Sequence, residues 1–179
     1  YTSIRASEEF IPQVADQTGF KAVVKFHPWA GKRAQDLNEI EARLANPSGD
    51  LAIGIEVAER TEPAAERMKA ASFLISDISS VVSDFLPTGR PIFLFVPKDR
   101  QVRTSTSKMP MESYCYVYYD APSLLAQIRR VIVENDDWLR DTRLKARDYF
   151  VDSARTAGLG FEQTLRDLIA EHEIPAHAW

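Results

Sequence analysis

His27 and the pair Ser79-Ser80 are the side chains of this 179-residue chain whose type and setting could do chemistry. His27 closes the apolar run Val23-Val24-Lys25-Phe26 and is followed by Pro28 and Trp29. An imidazole held at a strand end can add charge to, or pass a proton to, a bound group near neutral pH. Ser79 and Ser80 lie in an abrupt turn, Asp77-Ile78-Ser79-Ser80, between the apolar run Phe73–Ser76 and a short helix. Ile78, Val81, Val82 and Phe85 recur there at helical spacing. Asp77 is the expected N-cap, which puts both serines in the first turn. Unpaired backbone N–H groups and the positive end of the helix dipole face outward at that point. Hydroxyls and free N–H groups together suit an anion, above all a phosphate. The same residues also start helices that bind nothing, since Ser, Thr and Asp cap helices generally. What points to a ligand is the second element upstream: two strand ends, one with an imidazole and one with hydroxyls, can face one crevice.

These residues need elements to hold them, and the chain supplies a regular alternation. Strands are expected at 21–27, 51–57, 73–76, 91–96 and 114–119. Helices are expected at Ser7–Gln17, Lys32–Ala45, Glu62–Ala71, after Asp77, after Asp120-Ala121-Pro122, and near 136–150 and 160–172. The strands flanking the Asp77 turn are near-continuous apolar runs, as parallel strands covered on both faces must be. Strand–helix alternation of this kind implies an α/β fold, a Rossmann-like doubly wound parallel sheet, in a single domain spanning residues 1–179. In such sheets ligands collect at the carboxyl ends of the strands.

Composition narrows the class. The chain is 45% apolar and 27% charged, ordinary for a globular domain, and long enough to bury a substantial core. Net charge is −4 with an isoelectric point near 5.4, so the electrostatic footprint of a nucleic-acid binder is missing. The single Cys115 sits in an aromatic stretch and reads as an inert core thiol, with no disulfide framework. No apolar run is long enough to span a bilayer, and no signal peptide is recognisable. The expected location is the cytoplasm, or the inner face of the cell membrane as a peripheral protein. The chain opens on Tyr1, and the expectation is a piece of a longer protein.

Other candidate chemistry is thinner. GxGxxG, Walker-lysine and GxSxG motifs are absent, so nicotinamide, P-loop and hydrolase readings lack support, and no cofactor is called for. His172 and His177 have no metal-ligand spacing to His27, so no metal is expected. After Val96, the residues Lys98, Arg100, Arg103 and Lys108 form either a solvated loop or a flap that closes over phosphates. Arg140, Arg143, Lys145 and Arg147 share a helix with Trp138, Leu139, Tyr149 and Phe150. Such a helix packs its aromatics on the sheet or lies on an anionic membrane surface.

The motifs His27-Pro28, Ser76 to Phe85 (SDISSVVSDF) and Gly89 to Phe95 (GRPIFLF) resemble the C-terminal half of the CDP-glycerol glycerophosphotransferases, the teichoic-acid primases and polymerases. The resemblance runs over residues 20 to 170, with its specificity in those motifs. It implies a GT-B architecture in which this chain is the C-terminal, donor-binding half. His27 matches the family's histidine at the donor phosphates, implicated in transfer. Ser79 and Ser80 match serines that bind donor phosphate, and Asp77 and Asp84 match the acidic residues framing them. Ile78 stands where the family usually has Tyr, and the Ala157-Gly158-Leu159-Gly160 region lacks the family's Arg.

The implied reaction is transfer of glycerol phosphate, or a related group, from a CDP-activated donor to a cell-wall polymer or glycolipid acceptor. Ser79, Ser80 and helix amides would stabilise charge developing on the leaving phosphate. The acceptor's general base would come from a preceding domain of the same chain, leaving this piece inactive alone. Two alternatives share the fold. One is a UDP-sugar glycosyltransferase or epimerase-like domain, and the other is a degenerate, non-catalytic Rossmann-like module.

Overall fold

Five short strands, all paired in parallel, carry the chain in the computed structural model, which describes residues 2–32, 34–46, 54–99, 108–152 and 166. A 3-10 turn at Ser3–Ala6 leads into α1 (Ser7–Thr18), β1 (Ala22–Lys25), α2 (Asp36–Ala45), β2 (Ile55–Ala58) and α3 (Ala64–Ala70). Then follow β3 (Leu74–Asp77), α4 (Ser80–Phe85), β4 (Ile92–Phe95), β5 (Tyr116–Tyr118), α5 (Ala121–Ile128) and α6 (Arg140–Arg147). The α/β class and the parallel pairing agree with the strand–helix alternation. β1, β4 and β5 are shorter than expected, because only the central residues of those runs join a ladder, while β3 keeps its expected length one residue further along and β2 ends one residue later than expected. Residues 51–53 of the second expected strand, and the helix expected at 160–172 apart from Arg166, lie outside the described residues.

The strands do not join into one sheet. Among the described residues β1 pairs only with β2, and β3, β4 and β5 form a separate sheet in that order. Side chains rather than a main-chain ladder connect them. Phe20 and Phe73, which precede β1 and β3, have ring centroids 6.1 Å apart. Val24 of β1 and Phe26 just after it share one buried cluster with Phe93 and Tyr116 of the second sheet.

Alternation along the strands sorts the core. Register aligns Ile75 with Phe93 and Tyr116, and Asp77 with Phe95 and Tyr118, so these side chains share one face. That face carries Phe10, Ile11 and Val14 of α1 and Leu124 and Ile128 of α5. Leu74, Ile92 and Leu94 point the other way and meet Val82 and Phe85 of α4 and Ala146 of α6. Helices therefore cover both faces, and Ile92, Phe93 and Leu94 of the central strand are wholly buried. Burial of each such side chain contributes about 1.5–3 kcal/mol. α5 starts as expected: Asp120 accepts from Ser123 N at 3.0 Å, and Ser123 Oγ accepts from Asp120 N in return, a capping box.

Arg143 corrects the idea of a basic surface helix. Its side chain is fully buried, so it is lost to any membrane-facing stripe. The guanidinium Nε donates to Gly89 O at 3.0 Å and Nη2 pairs with Asp137, whose other oxygen accepts from Tyr116 Oη at 2.5 Å. Trp138 packs edge-on against Tyr116 at 4.6 Å, and Arg130 stacks on Trp138 at 3.9 Å. Trp138 thus packs one side against the sheet, whereas Tyr149 and Phe150 remain exposed. One buried cation ties the α4–β4 connection, β5 and the start of α6 together.

Removing that cation should leave Asp137 and Gly89 O without it, so Arg143→Met is expected to cost about 3–5 kcal/mol in denaturant unfolding. Arg147→Ala, one turn on and bonded among the described residues to neighbouring Asp148, should cost under about 1 kcal/mol.

Burial also pushes the Tyr114 and Tyr116 phenols and the Cys115 thiol up to about 12, with the Asp137 hydrogen bond adding to the shift at Tyr116. The Tyr118 phenol is raised as well, mainly by burial. These groups fold neutral, whereas an unfolded phenol ionises near about 10. The stability they contribute is complete below that pH and is lost as pH rises towards 12. An absorbance titration should show the buried phenolates appearing together with the loss of far-UV dichroism, and not before it.

Candidate functional site

Side-chain contacts link the surroundings of β1 and β3 at both ends of the strands. Phe20 and Phe73 meet ahead of the two strands, so their amino ends are neighbours. At the other end, Asp77 accepts from Thr2 Oγ1 at 2.5 Å and from Ser3 N at 2.8 Å. Two residues on, Arg5 binds Asp36 at the start of α2 at 2.7 Å. The N-terminal turn thus spans from the end of β3 to the helix that follows the β1 loop.

His27 lies exposed in a tightly built loop. Its Nδ1 accepts from Trp29 N at 3.1 Å, and its carbonyl accepts from Ala30 N at 2.8 Å. An Nδ1 that accepts is unprotonated, so the ring's N–H is on Nε2. Arg60, from the loop after β2, donates Nη1 to Ala30 O at 2.6 Å and Nη2 to Asn38 Oδ1 at 2.8 Å, and is paired with Glu41. Gly31 is buried with φ +84°, and a Cβ there would come within 2.0 Å of Asn38 Oδ1. Arg60, Asn38 and Glu41 were not legible as a unit, being distant in sequence and ordinary in type. Gly31 was the available signal, a glycine four residues after His27.

The serine turn differs from expectation in its cap. Asp77 ends β3, and its carboxylate is taken up by Thr2 and Ser3, so it neither caps α4 nor frames the serines. Asp77 also shares a face with Tyr118, while Ser76 points to the other face by alternation. Ser79 takes the N-cap position, with φ −159° and ψ 168°, and its hydroxyl makes no capping bond. That Oγ lies 3.4 Å from Ser76 Oγ, and Ser80 is the exposed first residue of the helix. Asp84 is exposed on α4 and makes no hydrogen bond or ion pair among the described residues. The Ser76 and Ser79 hydroxyls are therefore neighbours, with Ser80 next along the helix, whereas no hydrogen bond among the described residues joins His27 to them.

Lys98 stands after β4 and is bound to Asp120 at 2.8 Å, with its ammonium 5.4 Å from the Tyr119 ring centroid. That bond, then those from Ser123, hold the Asp120 carboxyl well below the usual carboxylate range. Lys98 is thereby anchored at the carboxyl edge, while Arg100 and Arg103 of the expected flap lie outside the described residues. Within the sheet, the Tyr118 hydroxyl is buried with no hydrogen-bond partner among the described residues.

Compared with protein-family models, curated proteins and solved structures, the chain finds no match. The described residues contain no helix long and apolar enough to cross a membrane.

The His27 loop should be intolerant of side-chain addition at its buried glycine. Gly31→Ala meets both a positive φ and Asn38, and is expected to cost about 2–3 kcal/mol in thermal or chemical unfolding. Gly19→Ala, with φ +68° and nothing within 4 Å of a new Cβ, should cost only about 1 kcal/mol.

Proposed function

We propose that this chain is the nucleotide-donor half of a group transferase of the GT-B kind. In that role it holds a CDP-activated donor and passes glycerol phosphate, or a related group, to a polymer or glycolipid acceptor. The observation that carries the proposal is the N-terminal turn that bridges the end of β3, just before the Ser79-Ser80 turn, and the start of α2, after the His27 loop, which supports a common edge for the two. The motif resemblance of the same residues supports it, and selects the CDP donor ahead of a UDP-sugar. A polymer or glycolipid acceptor fits action in the cytoplasm or at the inner membrane face, with the acceptor base on a further domain.

Chemically, breaking a phosphoanhydride leaves charge on the departing phosphate. Ser79 and Ser80 hydroxyls and the first amides of α4 are the donors able to meet that charge. α4 has only six residues, so its dipole is small and the individual donors matter more. His27 offers Nε2–H as a further donor, with its ring held by the Trp29 amide. Asp77, engaged elsewhere, is left out of this mechanism.

Calorimetry with CDP-glycerol, CDP, UDP-sugar and cytidine tests the proposal. A diphosphate should bind more tightly than the nucleoside, by about 1.5–3 kcal/mol for each charge-assisted hydrogen bond formed, less what an open site loses to water. Ser80→Ala should remove part of that difference and Ser83→Ala, one turn along α4, should remove little. Equal or undetectable binding of all four ligands at millimolar concentration, by a protein shown to be folded, would assign the chain to the non-catalytic modules instead.

A further inference from the structure

Trp29 is 64% exposed, the most open of the large apolar side chains given to solvent among the described residues. A surface aromatic of this kind usually sits on a yielding loop, but the chain around Trp29 is fastened at four points. Its own N–H is bound to His27 Nδ1, Ala30 N to His27 O, Ala30 O to Arg60, and Gly31 is wedged against Asn38. Arg60 is in turn fixed by Glu41 and Asn38. The ring itself is backed on one side: Lys32 Nζ lies 3.7 Å from its centroid. With one face occupied by an ammonium, the exposure of Trp29 belongs to the opposite face and the edges.

Around the ring the loop offers donors: the indole N–H of Trp29 at its edge, the Lys32 ammonium behind it, and the Nε2–H of His27, whose Nδ1 is bound to Trp29 N. Glu41, brought to the loop by Arg60, is already paired with that guanidinium. A flat ring carrying hydrogen-bond acceptors, attached to an anionic group, matches this combination. A pyrimidine base with its carbonyl oxygen and ring nitrogen, joined to phosphate, has that chemistry. Stacking accepts any base, and the donors favour one rich in acceptors.

We propose that Trp29 is the stacking platform for the base of the nucleotide donor, with Lys32 behind the ring and His27 beside it. This rests on the donor-binding proposal above and adds where the base goes. The loop is held rigid so that the platform is preorganised, which reduces the ordering cost of binding.

The test compares the natural chain with Trp29→Ala and Trp29→Phe, using CDP and inorganic pyrophosphate as separate probes. Pyrophosphate has no ring to stack. Because Trp29 projects into solvent, both variants should melt close to the natural chain, which thermal unfolding checks directly. The expected result is that Trp29→Ala weakens CDP about ten-fold or more, Trp29→Phe keeps most of the affinity, and pyrophosphate binding is little changed. Unchanged CDP affinity in Trp29→Ala, with Ser80-dependent pyrophosphate binding intact, would overturn the stacking platform and leave the donor site standing. Equal loss of CDP and pyrophosphate in Trp29→Ala would overturn it too, since the ring would then be acting through the phosphate site. Failure of both probes to bind the folded natural chain would remove the donor site and the platform together.

Discussion

Parallel pairing through a central strand buried on both faces is the constraint on which the rest depends. Ile92, Phe93 and Leu94 are fully enclosed, so β4 must have β3 and β5 beside it and helices above and below. Once that register is set, alternation decides which way every neighbouring side chain points. Asp77 and Tyr118 go to the α1 face and Ser76 to the α4 face. A polar cluster at the carboxyl end of β3 is thereby split between two sides of the sheet. The hydroxyls of Ser76 and Ser79 stay together, and the carboxylate nearest to them in sequence is turned away.

That turned carboxylate has another use. Asp77 anchors Thr2 and Ser3, and Arg5 in the same turn anchors Asp36. Glu8 of α1 then binds Arg43 of α2 at 2.7 Å. A run of polar contacts thus crosses from the three-stranded sheet to the elements around the two-stranded one, where no main-chain ladder does so. Arg5–Asp36 and Glu8–Arg43 are exposed pairs and contribute little stability on their own. Their effect is to link the N-terminal turn and α1 to α2, beside the core shared by Val24, Phe26, Phe93 and Tyr116.

Two buried or half-buried arginines do the corresponding work inside. Arg143 joins the Gly89 carbonyl, Asp137 and β5 from within the core, and Arg60 joins the β1 loop to α2 near the surface. In both cases the planar guanidinium satisfies a backbone carbonyl and a carboxylate at once, which a lysine could not do with the same geometry. The His27 loop therefore has a rigid support in Arg60, and it leaves His27 and Trp29 exposed to solvent.

The sequence by itself determined the α/β class, the parallel sense, the order of the elements and the cap of α5. These follow from local matters: apolar runs long enough for strands, helical spacing between them, and an Asp120 whose side chain reaches only three residues ahead. It also marked His27, Ser79 and Ser80, because strand ends and helix starts are visible as breaks in apolar pattern. Tertiary structure decided what those signals could not contain. Division into two sheets depends on which strand edges meet, which is not written in any one strand. The recruitment of Asp77 by Thr2 and Ser3 joins residues more than seventy positions apart, and so does not appear in a reading of the Asp77-Ile78-Ser79-Ser80 turn. Arg143 looked like one of four surface cations on a helix. Only the packing of α6 on the sheet sends it inward, where a charge persists because Asp137 and a carbonyl are there to meet it.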